Sequence, residues 1–335
     1  MNLTETELVP PQADVPVMLR QGKRSGARSS GAWTAALLLV AIAATTVILQ
    51  PNSASSNGAE LLLGPALPLV FASLAQMLII LVGDFDLSVG YAVGLVNVIS
   101  ATLLATDVWL GVLVLCAMVL AYVGMGAIVE IFRVPAIVVT LGASFIWLGI
   151  GLTVQPVPGG TAPNWLLQVT SASWPVLPET FYIVVAGAFF SWWLVKRWRY
   201  GIVLRGLGNN RSALVSSGWS VLRARLYAYA LAGAMVVIAG MFTTSVTTSA
   251  DINASATLTL TTFAVVVIGG CRFQGGLVEP PGVVAAAVAI SLLASTLTFL
   301  NVAPAWDTAV EGLVLVAAVS TKWVAEQVRA RVGSR

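Results

Sequence analysis

The sequence predicts an all-α, polytopic integral membrane protein of about ten transmembrane helices (8–10), with both termini cytoplasmic. Three observations predict it: composition, the spacing of apolar runs, and the placement of basic residues. Of the 335 residues, 58% are hydrophobic and 9% charged, against about 25% charged in an ordinary soluble domain. Lipid offers no partner to a bare backbone amide or carbonyl, so each crossing needs about 20 mostly apolar helical residues.

Apolar runs fall at 33–50, 66–82, 87–106, 108–131, 135–154, 179–196, 224–246, 257–270, 281–300 and 304–322. Several are short or glycine-rich, which marks them as broken or re-entrant. Such segments survive only where the backbone faces protein or a water-filled path. With an even span count, all 17 lysines and arginines fall on inside segments or their edges, as expected for positive residues flanking membrane helices. The outer segments instead hold Glu60, Asp107, Glu179, Asp251 and Asp307. The net charge of +3 is then the ordinary asymmetry of a membrane protein in contact with lipid, and requires no nucleic-acid partner.

The chain divides into a cytoplasmic, disordered tail at 1–32, a transmembrane domain at 33–322 and a cytoplasmic C-terminal tail at 323–335. Pro10, Pro11 and Pro16 interrupt the first tail, which lacks the layout of a cleaved signal peptide. Two loops exceed a simple turn. The outer one, 155–178, is stiffened by Pro156, Pro158, Pro163, Pro175 and Pro178 and carries Trp165 and Trp174. The inner one, 197–223, is basic and contains a helix-compatible stretch, Ser212 to Ser217, ahead of Gly218.

Several chemistries are excluded. There is no histidine, which removes Ser-His and Cys-His nucleophile pairs and histidine-ligated metal sites. No metal site and no catalytic group are expected. No Gly-x-x-x-x-Gly-Lys-Ser/Thr segment is present, so this chain has no P-loop to cradle ATP. Cys116 and Cys271 form no disulfide framework.

The stretch Ile80-Leu-Val-Gly-Asp-Phe-Asp-Leu-Ser-Val-Gly90 sets two carboxylates and a serine in apolar sequence, and a charge at a helix centre costs roughly 2.5–3.5 kcal/mol. Asp86 reads as an N-cap accepting the amide of Ser88 or Val89. It also reads as part of a broken helix beside a conduction path, where Asp84, Asp86 and Ser88 meet a polar solute. The two readings are compatible. Glu311, one turn from Asp307, reads first as a partner for a neighbouring hydroxyl and second as part of a proton relay. The Thr and Ser cluster from Thr243 to Thr262 lines a polar path or serves helix packing. Trp192, Trp193, Trp198 and Tyr200, beside Lys196 and Arg197, read as an interfacial anchor.

Asp86-Leu-Ser-Val-Gly90 after a long apolar run resembles the signature of ribose-type permeases, the membrane subunits of bacterial ABC importers for monosaccharides. Further segments follow in register. Arg133-Val-Pro-Ala-Ile-Val-Val-Thr-Leu-Gly142 resembles a span-opening segment of that family. Gly208-Asn209-Asn210 with Ala213 and Ser217-Gly218 resembles its cytoplasmic pattern, and Val265-Val-Val-Ile-Gly-Gly270 with Gly275-Gly276 its glycine-rich inner loop. The resemblance covers about 60 to 322.

It implies a bacterial inner-membrane protein working by alternating access. The implied partners are a second permease subunit, identical or not, ATP-binding cassette subunits that hold ATP and Mg, and an external sugar-binding protein. The chain itself carries no cofactor. Asn209, Asn210, Ala213, Ser217 and Gly218 become the candidate ATPase-coupling residues. Asp84, Asp86, Ser88, Thr259 and Thr261 become the candidate substrate path. The sequence departs from the family at Thr259-Leu260-Thr261 and at Gly83-Asp84-Phe85, and in the inner loop at Arg272, Glu279, Pro280 and Pro281. The competing readings are a branched-chain amino-acid or nucleoside permease of the same superfamily, and an ion-coupled secondary transporter using Asp84, Asp86 or Glu311. A membrane enzyme is disfavoured by the missing histidine and nucleophile arrangements.

Overall fold

The computed structural model describes residues 30–171 and 178–302, with isolated helical positions between 306 and 320. Residues 1–29 of the first tail, most of the tenth run with Asp307 and Glu311, the C-terminal tail, and Trp174 and Pro175 lie outside the described residues.

The chain folds as helices throughout that range, apart from one isolated bridge between Gly159 and Ala250. In order they are α1 (Ser30–Leu49), α2 (Ser56–Leu63), α3 (Ala66–Leu81), α4 (Val89–Ala101), α5 (Leu103–Thr106), α6 (Val108–Ile131) and α7 (Ala136–Val154). There follow α8 (Asn164–Ser171), α9 (Glu179–Lys196), α10 (Arg199–Asn209), α11 (Arg211–Ser216), α12 (Val221–Thr247), α13 (Leu258–Ile268) and α14 (Pro280–Phe299). Among the described residues six helical stretches, with α4 and α5 taken together as one, are long and apolar enough to cross a membrane, and α2 with α3 adds a seventh if the pair is one span bent by 42°.

The centre of the bundle is α3. It is apolar on every side and all but Pro68 is buried, as a helix with no polar face must be. Around it pack α12, α14 and α13, with α4 and α9 at its flanks. By contrast, α1, α6 and α7 keep broad apolar faces exposed, including Leu37, Leu113, Leu120, Phe145 and Ile146, which is the surface a helix offers to lipid tails. Glu179 in the first turn of α9 and Lys196 in its last turn complement the helix dipole.

Two runs expected as plain spans are interrupted. Thr102 Oγ1 donates to the Val98 carbonyl at 2.6 Å, where the run 87–106 divides into α4 and α5. Such back-bonding bends helices. The run 257–270 yields only α13, 11 residues long, about 16 Å at 1.5 Å per residue. That is too short to cross alone. The preceding segment 249–257, irregular apart from a short 3-10 turn at Asn253–Ser255, runs alongside α4: Asn97 donates to the Ser249 carbonyl, the Asp251 amide donates to Asn97 Oδ1, and the Gly90 amide donates to Thr259.

The loops sort to two ends. At one end the Gly159–Ala250 bridge, Thr161 on the Ala101 carbonyl and the Thr170–Ser245 hydroxyl pair tie together segments expected outside. At the other, Lys196 pairs with Glu279 at 3.0 Å and Arg225 with Asp84 at 3.1 Å, joining segments expected inside. This second end carries the arginines and lysines of the described loops and is called the basic end below.

Candidate functional site

The site is built on the break between α3 and α4. Helix α3 stops because Gly83 adopts φ +88, a left-handed conformation open to glycine without a Cβ clash. From there residues 84–88 climb back from the basic end into the bundle. Asp84 lies near that end. Asp86 and Ser88 lie deeper, against Tyr122, which is nine residues before the last residue of α6. Helix α4 therefore begins inside the membrane depth rather than at its surface.

The polar side chains of this turn are engaged. Asp86 Oδ1 accepts from the Ser88 amide at 2.7 Å and the Ser88 hydroxyl at 2.6 Å, and Oδ2 accepts from the Tyr122 hydroxyl at 3.0 Å. The Leu87 amide donates to Thr140 Oγ1 at 3.1 Å. Asp86 and Ser88 are 1% and 0% exposed. Asp86 thus does what a helix-start acceptor does, two residues ahead of the formal cap at Ser88. Thr259 completes the arrangement: its hydroxyl oxygen accepts the free amide of Gly90 at 2.9 Å. The starts of α4 and α13 meet there, two helix N-termini buried side by side. Unwound backbone at this depth is tolerated only inside protein or along an aqueous path.

Asp84 belongs to a different cluster. Its Oδ2 lies 3.1 Å from Arg225 Nε, a charge contact outside hydrogen-bond alignment, and accepts from Tyr229 at 3.3 Å. Arg225 Nη1 reaches Glu130 Oε2 at 2.9 Å, and Glu130 Oε1 takes Arg211. Two carboxylates and two guanidinium groups balance in charge. Burial pushes the Asp84 carboxyl above the ordinary carboxylate range, and the Arg225 charge pulls against it. The cluster links the 82–88 loop, α6, α11 and α12.

The expected coupling segment is mounted on this cluster. Asn210 caps α11, its Oδ1 accepting the Ala213 amide at 3.0 Å. Ser217 Oγ donates to the Ala213 carbonyl. The helix ends in a Schellman turn: Gly218 at φ +79, its amide on Val215, and the Trp219 amide on Leu214. Arg211, Ser212, Ala213, Val215 and Ser216 are exposed, while Leu214 alone is buried. Upstream, Gly208 packs so tightly that a Cβ would lie 2.1 Å from the Leu81 carbonyl oxygen and 2.4 Å from the Gly276 nitrogen. Asn209 reaches the Gly276 carbonyl at 3.4 Å. The short helix is therefore held against both the α3 terminus and the glycine-rich loop 269–279.

The structure brings Asp86, Ser88 and Thr259 together, and Asn209 and Asn210 onto one mount. Thr261 stands apart, lining a groove between α3, α13 and α14 on the other side of α13. Sequence reasoning missed Tyr122, Tyr229, Thr140, Glu130 and the pairing of Arg225. An acidic residue at the basic end of a span, as at Glu130, is the one signal that pointed to the cluster.

A bundle of apolar helices with unwound backbone sealed at membrane depth, and a short helix rigidly mounted at its basic end, defines a multi-pass membrane transport subunit. The chain belongs to the family described as branched-chain amino acid transport system / permease component, which matches residues 58–319. The galactose/methyl galactoside import permease protein MglC of Escherichia coli (strain K12) is 28% identical over 320 residues, covering 88% of this chain and 93% of the relative. The ribose import permease protein RbsC of the same strain is 28% identical, covering 85% and 90%. Its L-arabinose transport system permease protein AraH is 27% identical, covering 71% and 74%. No solved structure matches the chain.

Proposed function

We propose that this chain is the membrane-spanning permease of an ATP-driven importer for a monosaccharide or similar polar, carbohydrate-like solute, in a bacterial inner membrane. The observation that carries this reading is similarity along most of the chain to relatives named as import permeases for galactose and ribose. Those names favour a sugar over a branched-chain amino acid or a nucleoside.

ATP and Mg belong to partner ATPase subunits, since the chain has no phosphate-cradling loop. Those subunits dock on the exposed side of α11. A push on α11 has two stiff routes into the bundle: the Gly208 contact with the end of α3, and the chain Arg211, Glu130, Arg225, Asp84. Both converge on the loop that opens α4, so a rigid-body shift of the short helix moves the buried helix starts and alternates access. An external binding protein delivers the solute, and a second permease subunit completes the pore.

An ion-coupled carrier is the second class. It needs a carboxylate free to titrate on the path; of the three candidates Asp84 is held by Arg225 and Tyr229 and Asp86 by Ser88 and Tyr122, and Glu311 lies outside the described residues. The test is uptake into vesicles containing the permease with its ATPase and binding-protein partners. Transport that continues with a protonophore and stops when ATP is withdrawn supports the importer. Transport that stops with the protonophore at constant ATP refutes it.

A further inference from the structure

Between α3, α12, α13 and α14, toward the end opposite the basic one, lies a groove of about 380 Å³, within the roughly 300–1,000 Å³ of small-molecule sites. Its lining has no charged side chain and no aromatic ring, and half of its fourteen residues carry hydroxyls. The segment 249–257, which carries no α-helix, supplies part of the wall through Ser255 and Thr257.

These hydroxyls have a definite polarity. Thr243, Thr261, Ser295 and Thr298 each donate to a carbonyl one turn back in their own helix, at 2.9, 3.2, 3.2 and 3.1 Å. A hydroxyl that has given its proton away keeps its lone pairs and can only accept. These four positions therefore offer acceptors to a solute that brings donors. A carboxylate or phosphate brings none, and an ammonium ion meets no counter-charge. A neutral polyhydroxyl compound brings several donors and needs no counter-charge.

One helix face leads inward from this groove. Pro65 and Leu69 line it, and Ala72 and Gln76 follow Leu69 at spacings of three and four residues on α3, so all share a side. Gln76 lies about 10 Å further along the helix than Leu69. It is 0% exposed, and neither its amide nitrogen nor its oxygen has a hydrogen-bond partner among the described residues. Ser73 nearby and Ser291 in the groove wall are also buried, at 0% and 8% exposed. The Ser73 hydroxyl lacks a partner too. A buried amide with both ends unused is rare in a native core. Here it has a use if something polar reaches it in another state of the transport cycle.

We propose that Gln76 is the mid-membrane contact for a neutral polyhydroxyl solute that enters through the hydroxyl groove, supplying at depth an amide donor and an amide acceptor. This rests on the importer reading above. In the present structure Leu69 and Ala72 fill the face between groove and amide, so the solute meets Gln76 only when α3 shifts against α13 and α14.

The test compares wild type, Gln76→Leu and Ser291→Ala in the complete complex in proteoliposomes, with galactose, ribose and arabinose as probes. The expected result is that Gln76→Leu melts at or above the wild-type temperature, because an unpartnered polar group has been removed. Its KM for import should nevertheless rise tenfold or more. Wild-type KM in a folded Gln76→Leu variant overturns the proposal. Should that variant fail to insert, Ser291→Ala decides on the same readout: a raised KM supports the groove as the route, and a wild-type KM overturns it. A wild-type complex whose import stops with a protonophore at constant ATP refutes the importer reading itself, and with it this inference. A competent wild type with unaffected variants refutes only the inference.

Discussion

Replacing Arg225 with methionine should destabilise the basic end more than any other single charge removal there. Side-chain exposure is 11% at Arg225, 9% at Asp84 and 10% at Glu130. Its loss leaves two buried carboxylates facing one another with a single remaining cation, Arg211, itself 53% exposed. Removing one partner from a buried ion pair costs about 3–5 kcal/mol, most of it the desolvated charge left behind. Arg211→Met removes a charge from the half-exposed side, where an ion pair is worth about 0–1 kcal/mol. The two variants should therefore differ by about 2 kcal/mol or more, read as denaturant or thermal stability of the purified subunit in one detergent. Adding Asp84→Asn to Arg225→Met should recover part of the loss, because it removes the excess negative charge and keeps an acceptor for Tyr229. Equal stability of Arg225→Met and Arg211→Met, or a further loss on adding Asp84→Asn, would refute the ion-pair reasoning.

Asp86→Leu strands three buried donors, the Ser88 amide and the Ser88 and Tyr122 hydroxyls, at about 1–3 kcal/mol each. Asp86→Asn keeps an acceptor for Ser88, so it should retain most uptake where Leu loses it. Equal damage from both would show that the charge, not the helix start, is what matters. Gly208→Ala pushes a methyl group into two backbone atoms, an overpacking worth about 1–3 kcal/mol. It should leave insertion intact and uncouple ATP hydrolysis from uptake, and normal coupling would count against the mount. Gly218→Arg meets open space but sits at φ +79. The cost is thus about 1–2 kcal/mol of backbone strain, with loss of ATPase association measured by co-purification. Finally, single cysteines at Ser56, Asn164 and Asn253 should label from outside intact cells and one at Ser212 should not. Outside labelling at Ser212 would reverse the orientation.

Much of the architecture was legible because it is written in local patterns. The apolar runs marked α1, α3, α4, α6, α7, α12 and α14, since a segment without polar groups must be helical wherever water is absent. The acidic interruption at Asp84 and Asp86 marked the break before α4, and Gly218 marked the end of the short helix on the basic side. The shortness of α13 was less legible. Its apolar run continues through Gly269 and Gly270, and hydropathy alone cannot tell a half-helix entered through unwound chain from a full crossing.

The sequence by itself determined the class of the protein, several of its spans and some helix ends, because hydrophobicity, caps and glycine conformations act over a few neighbouring residues. Only the tertiary structure decided which groups meet. Thr259 satisfies the amide of Gly90 across 169 residues, and Tyr229 reaches Asp84 across 145. Gly208 fits against Leu81 and Gly276 only because three separate loops converge at one end. Gln76 looks in sequence like any amide within an apolar run. That it has no partner is a property of α12, α13 and α14 packing around it, and no periodicity along one chain segment records what the opposing helices leave unsatisfied.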